Sequence, residues 1–97
     1  MNELYIIVHA SEDMLKQDKI VSDEINRIKK EEQFVEVNEN PCVVNYHIPE
    51  CSKIYVCGFY HGKEKWDHRC VDEQIKALKR KGYHPELYLK ATISLDP

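Results

Sequence analysis

The sequence has no long apolar run. Its longest uninterrupted apolar stretch is Leu4 to Val8, five residues, whereas a membrane-spanning helix needs about 20. The stretch is also too short for the core of a secretory signal peptide, and no basic segment precedes it. We therefore expect no membrane partner and a protein that stays in the cytoplasm.

The chain also lacks an excess of positive charge. Fourteen Lys and Arg against seventeen Asp and Glu give a net charge of −3, so no overall positive field attracts phosphate backbones, and we expect no nucleic-acid partner. The hydrophobic share of 42% and the charged share of 32% are typical of folded chains. The length of 97 residues predicts one domain, residues 1–97, without internal repeats.

Two apolar stretches predict the centre of a sheet. Leu4–Val8 and Ile54–Phe59 are apolar on successive residues, which is typical of strands buried on both faces. We expect them to be adjacent and parallel. Shorter strands are predicted at Phe34–Val37 and Leu87–Ile93, and Cys42–Ile48 is either an edge strand or irregular.

Apolar residues at helical spacing predict two amphipathic helices. The first spans about 19 to 32, with Ser11 or Ser22 as a possible N-cap. The second runs from Asp67 or His68 to Arg80, and Gly82 ends it. The alternation of strands and helices predicts an α/β fold, a three-layer sandwich with a mostly parallel sheet of four or five strands and two flanking helices.

Ligands of open parallel sheets bind beyond the carboxyl ends of the strands. Two segments reach that edge, His9–Asp13 and the stretch from Gly58 to Cys70. Cys70 falls at the start of the second helix, where the helix dipole favours a thiolate, so we expect its pKa to be lowered and its alkylation to be the fastest of the four cysteines. The alternative is a small buried residue that faces the sheet.

The stretch from Gly58 to Tyr83 resembles the cysteine-hydrolase superfamily of isochorismatases and nicotinamidases. In that family a strand ending in Gly leads through a loop to Cys-Val at the start of a helix, which ends in Gly-Tyr; here the counterparts are Gly58, Cys70-Val71 and Gly82-Tyr83. The resemblance implies that the Cys70 thiolate attacks the carbonyl of a small amide or ring compound while a carboxylate shuttles the proton.

The sequence departs from that family at two positions. His9 stands where the family has its catalytic Asp, with Asp13 four residues later, and Phe34–Pro49 contains no counterpart of the catalytic Lys. Cys70, His9 and Asp13 are therefore the candidate catalytic residues, and loss of activity is one open outcome. The candidate ligand-binding residues surround them: Ser11, Gly58, Tyr60, His61, Trp66 and His68.

Two other hypotheses stay open. The first is a non-catalytic accessory protein of phage or mobile-element type, which binds a small ligand or a protein partner through the same cleft. The second is a zinc-stabilised module, because two thiolates and two imidazoles make a complete tetrahedral set. That set would be Cys57, His61, His68 and Cys70, but its spacing is unusual for zinc, and we expect neither a metal nor another cofactor.

The remaining cysteines and the tyrosines carry weaker indications. Cys42 and Cys51 are expected to be reduced thiols that pair only if oxidised. Six tyrosines and a small core favour a homo-oligomer.

Overall fold

The computed structural model of the chain describes residues 3–11, 13, 16, 18–50, 53–61 and 70–94. Strands and helices follow one another as β1 Glu3–Val8, α1 Lys19–Glu31, β2 Gln33–Val37, β3 Lys53–His61, α2 Cys70–Arg80 and β4 Glu86–Ser94. The predicted α/β class is confirmed. In the described part of the chain, neither helix is long and apolar enough to cross a membrane.

The four strands form one parallel sheet in the order β2-β1-β3-β4. β1 and β3 are adjacent, parallel and central, as predicted, with Leu4 aligned to Ile54 and Val8 aligned to Gly58. The chain steps from β1 to one side to form β2 and then crosses back over β1 to form β3 and β4. Because parallel crossovers are right-handed, this reversal places the first connection and the later ones on opposite faces of the sheet.

Alternate residues of β1 pack against the two helical layers. Tyr5 and Ile7 belong to the core under α1. Leu4, Ile6 and Val8 belong to the core under α2. Both faces of the sheet are covered, which explains why β1 is apolar at successive positions.

The N-cap of α1 is Asp18, which was not among the predicted caps. Its carboxylate accepts hydrogen bonds from the backbone N–H groups of Ile20 at 3.0 Å and Val21 at 3.2 Å. A carboxylate suits this position because it satisfies unpaired amides and also interacts with the positive end of the helix dipole. The predicted cap Ser22 lies inside the helix, and the helix follows Asp18 rather than Ser11.

The end of α2 is the predicted glycine cap. Gly82 has φ 93°, a left-handed conformation that glycine adopts without strain. The N–H of Tyr83 donates to the carbonyl of Leu78 at 3.1 Å, and the N–H of Gly82 donates to that of Lys79 at 3.0 Å. These two bonds form a Schellman motif. The predicted starts of this helix at residues 67 and 68 lie outside the described residues.

The connection from β2 to β3 is irregular. Residues 38–50, called here the crossover segment, contain turns, and Cys42–Ile48 is not a strand. Val44 is buried, and Tyr46 and Ile48 pack beside it on the core under α2. The crossover segment therefore covers the face of the sheet on which right-handed connectivity places it.

The pairing of β4 with β3 is interrupted. Val56 aligns with Leu87, but Gly58 aligns with Thr92, so β4 carries extra residues between the two registers. The hydroxyl of Thr92 donates to the carbonyl of Tyr88 at 2.6 Å and closes the bulge. Such an insertion bends the strand locally.

Candidate functional site

A pocket of about 300 Å³ opens at the carboxyl end of β2. Its volume is at the lower end of the range for small-molecule sites, about 300–1,000 Å³. Two carboxylates, three carboxamides and a phenol line it, and among these lining residues none is basic. We call it the edge pocket; its residues are Glu36, Val37, Asn38, Glu39, Asn40, Asn45 and Tyr46.

His9 fixes one wall of the edge pocket. Its backbone N–H donates to the carbonyl of Val37 at 2.8 Å, and its ring Nε2 lies 2.6 Å from the carbonyl oxygen of Glu39. Because a carbonyl only accepts, Nε2 carries the proton. The backbone of His9 has φ 51°, a left-handed conformation that is uncommon outside glycine and often found at functional sites.

Gln74 of α2 holds the wall at Tyr46. This side chain is fully buried, and its Nε2 donates to the carbonyls of Pro41 at 2.7 Å and Val43 at 3.3 Å. Its Oε1 accepts a hydrogen bond from the hydroxyl of Tyr46 at 2.8 Å. Burial raises the pKa of Tyr46, so this phenol stays protonated. One amide thus anchors three residues of the crossover segment.

The charge of the edge pocket is negative. Glu36 is exposed and pairs with Lys29 at 2.8 Å; this hydrogen bond lowers the pKa of the Glu36 carboxyl, and desolvation opposes it with a smaller effect. Glu39 is exposed. Hydrogen-bond acceptors therefore outnumber donors in the lining.

Cys70 begins α2, but the electrostatics of its thiol differ from the prediction. The side chain is half-buried and packs against the apolar core under the helix. Burial raises its pKa, and the nearby Glu73 raises it further; the backbone N–H at the helix start opposes them with a smaller effect. The expected lowered pKa is wrong because desolvation outweighs the helix terminus.

The two bases predicted for Cys70 have other partners. The His9 imidazole bonds the edge-pocket wall, as described above. Asp13 is exposed, and its carboxylate lies 3.8 Å from Nζ of Lys16. The catalytic group of Cys70, His9 and Asp13 stays a prediction.

The predicted ligand-binding residues divide into two groups. Ser11 is exposed, and Gly58 is buried with φ 116°, where a Cβ atom would lie 2.2 Å from the carbonyl oxygen of Val8. Gly58 thus permits the close approach of β3 to β1. Of Tyr60 and His61, the structure describes only the backbone, as part of β3. Trp66 and His68 lie outside the described residues.

The sheet separates two members of the alternative zinc set. Cys57 is fully buried under α1, 3.6 Å from the carbonyl oxygen of Ile6, and burial raises its pKa to about 12. Cys70 packs on the opposite face. Within the described part of the chain, no group of three or more His, Cys, Asp and Glu side chains is placed to hold a metal ion.

Sequence reasoning missed the edge pocket because it considered only two of the strand ends. β2 is parallel to β1, so its carboxyl end reaches the same edge. The polar residues that follow it, Asn38–Asn40, indicate a turn in the sequence and give no further signal. Gln74 did carry a signal, because it interrupts an apolar stripe on α2.

These features define a class: an α/β protein with an all-parallel sheet and an acidic pocket at the carboxyl edge. No family model, curated protein or solved structure matches the chain. The resemblance to isochorismatase-type hydrolases therefore stays a prediction.

Proposed function

We propose that the protein binds a small neutral or cationic molecule, carrying amide or amine groups, in the edge pocket. The observation that carries this proposal is the construction of the pocket walls. His9 holds the wall at Glu39, and Gln74 holds the wall at Tyr46. A pocket with preformed walls at the carboxyl edge of a parallel sheet is the arrangement in which such sheets bind ligands.

The lining determines the chemistry of the ligand. The Glu36 and Glu39 carboxylates only accept hydrogen bonds, so they favour N–H donors. An anionic ligand would meet the like charge of Glu39, because the Lys29 ammonium is already paired with Glu36 and does not line the pocket. An amide on a small ring, the substrate class implied by the family resemblance, satisfies the same donors and acceptors without charge.

Binding without turnover is better supported than hydrolysis. The Cys70 thiol has a raised pKa and lies against the apolar core. A thiol nucleophile needs an activating base within hydrogen-bond reach. The recorded contacts of its two predicted bases are with Glu39 and Lys16. We therefore assign the edge pocket, rather than a Cys70 cleft, as the proposed ligand site.

Three ligands with the same ring test the proposal. Benzamide, benzylamine and benzoate are titrated separately into 15N-labelled protein, and backbone amide shifts are followed by NMR. We expect benzamide and benzylamine to shift the resonances of 36–40, 45 and 46, and benzoate to leave them in place. Equal shifts with benzoate, or shifts confined to other parts of the sheet edge, would contradict the proposal.

A matched pair of variants sharpens this titration. Asn45→Ala removes an exposed carboxamide from the pocket lining, whereas Asn26→Ala removes an exposed carboxamide from α1. Only Asn45→Ala should weaken binding, by about fivefold to tenfold for one lost hydrogen bond. Equal affinities for the two variants would place the ligand elsewhere.

A further inference from the structure

We propose that Cys42 and Cys70 form an oxidation site, at which a peroxide joins them in an intramolecular disulfide that ties the crossover segment to the start of α2. This inference concerns a different pair of residues from the ligand site and does not depend on it. It rests on the placement of Cys42 against the helical turn that begins with Cys70.

The crossover segment holds Cys42 in a fixed position. Its backbone N–H donates to Oδ1 of Asn40 at 2.9 Å, and its carbonyl accepts from Arg80 at 3.3 Å. The carbonyl of the preceding Pro41 accepts from the buried Gln74. The Cys42 side chain itself is exposed, so a small oxidant reaches its sulfur.

The thiol of Cys42 points at the first turn of α2. Its Sγ donates a hydrogen bond to Oε2 of Glu73 at 3.1 Å. Cys70 precedes Glu73 by three residues on the same helix, a spacing that puts side chains on one face with Cβ atoms about 5–6 Å apart. The thiols are close enough that charge on Cys70 raises the pKa of Cys42. Cys57, on the other face of the sheet, is fully buried and does not compete.

Glu73 is placed to take the proton of Cys42. The resulting thiolate attacks one oxygen of hydrogen peroxide, the O–O bond breaks, and the sulfur becomes a sulfenic acid while hydroxide leaves and takes up the proton as water. The Cys70 sulfur then attacks the sulfenic sulfur; the S–S bond forms and a second water leaves. In sum, two thiols and one hydrogen peroxide give one disulfide and two waters, so atoms and electrons balance.

The charged groups around Cys42 determine how much of its thiol is ionised, and so how fast it reacts. Glu73 raises the pKa of the Cys42 thiol, Arg80 lowers it by a smaller effect, and burial raises the pKa of Cys70. The thiolate is therefore scarce near neutral pH, and the test uses an excess of peroxide.

The experiment is peptide mapping after oxidation. The full chain is treated with hydrogen peroxide, free thiols are alkylated, and tryptic peptides are separated without reductant. Trypsin leaves Cys42 and Cys51 together on the peptide 31–53 and Cys70 on the peptide 70–76. Three variants, Cys42→Ser, Cys51→Ser and Cys70→Ala, assign the linkage.

We expect peptides 31–53 and 70–76 to be linked in the wild type and in Cys51→Ser, and dithiothreitol to release them. In Cys42→Ser and Cys70→Ala the linked species should fall by about tenfold or more, because each lacks one of the two sulfurs. A Cys42–Cys51 linkage, or sulfinic and sulfonic acid on Cys42 without a linkage, overturns the proposal. Far-UV circular dichroism shows whether each variant is folded. If Cys70→Ala does not fold, the linkage in Cys51→Ser still tests the proposal.

Discussion

The two helices bury similar stripes of side chains on opposite faces of the sheet. Each has one polar residue three positions after a valine, and each polar side chain accepts a hydrogen bond from a tyrosine hydroxyl. The buried residues are Val21, Glu24, Ile25 and Ile28 on α1, and Val71, Gln74, Ala77 and Leu78 on α2.

The polar residues differ in charge because their surroundings differ. Glu24 is held by Arg27 of its own helix through two hydrogen bonds of 2.9 and 2.8 Å, and Tyr88 donates to the same carboxylate. Gln74 instead faces carbonyls of the crossover segment. A helix satisfies its own backbone, but an irregular connection leaves carbonyls that need a donor. A carboxylate cannot donate, so the face with the irregular connection needs the amide.

Exchanging the amide for a carboxylate on α2 should have the largest effect. Gln74→Glu places a fully buried carboxylate against the carbonyls of Pro41 and Val43. We expect a loss of about 3–5 kcal/mol in the free energy of unfolding at neutral pH. Urea denaturation measures it, and a loss below about 1 kcal/mol would contradict the role given to the amide.

The reverse exchange on α1 should cost less. Glu24→Gln removes one half of the pair with Arg27, whose side chain is 35% exposed and can still reach water. We expect a loss of about 2–3 kcal/mol, less than for a fully buried pair. Glu31→Gln is the matched control, because Glu31 is 62% exposed and 3.6 Å from the same guanidinium. The control should change stability by less than about 0.5 kcal/mol.

The two exchanges should give opposite pH dependence. Arg27 and Tyr88 lower the pKa of Glu24 from 4.5 to about 2. A carboxyl whose pKa is lower in the folded state than in the unfolded state stabilises the folded protein at pH values above the unfolded pKa. That stabilisation is lost as the pH falls through the folded pKa. The wild type should therefore lose stability relative to Glu24→Gln between about pH 5 and pH 2. Gln74→Glu, whose new buried carboxyl is expected to have a raised folded pKa, should gain stability relative to the wild type at higher pH, as the pH falls from that raised pKa toward the ordinary carboxyl pKa of about 4.5.

The smallest effects should come from the tyrosine hydroxyls. Tyr88→Phe removes a hydrogen bond to a carboxylate and should cost about 1.5–2 kcal/mol, whereas Tyr46→Phe removes one to a neutral amide and should cost about 1 kcal/mol. Thermal unfolding of the two variants compares them directly. A larger cost for Tyr46→Phe would mean that the charge on Glu24 adds nothing to its hydrogen bonds.

The sheet could be predicted from the sequence because its centre is unambiguous. β1 and β3 are apolar at successive positions, which only burial on both faces explains. The end of α2 at Gly82 was equally clear. The cap at Asp18 was missed because a serine on either side of it offered the same local chemistry.

The electrostatic state of the site could not be predicted in the same way. Position at a helix start suggested a reactive Cys70, but the depth of its packing decides its pKa, and depth is a tertiary property. The same holds for Tyr46, one of the tyrosines taken to favour an oligomer. It bonds Gln74, while Tyr5 and Tyr55 stack on each other at 5.1 Å. Homo-oligomerisation stays a prediction. Tyrosines with contacts inside the chain give it less support than the sequence suggested.

The interrupted pairing of β4 also affects how copies of the chain meet. An outer strand is a template on which another chain can add a strand, and fibrous aggregates grow by repeating that step. β4 spans nine residues, yet its alignment changes between Leu87 and Thr92. An incoming strand can therefore match only a short stretch on either side of the bulge. The opposite edge, β2, has five residues. Within the described strands, neither edge offers a long continuous template, which disfavours growth of an assembly by strand addition.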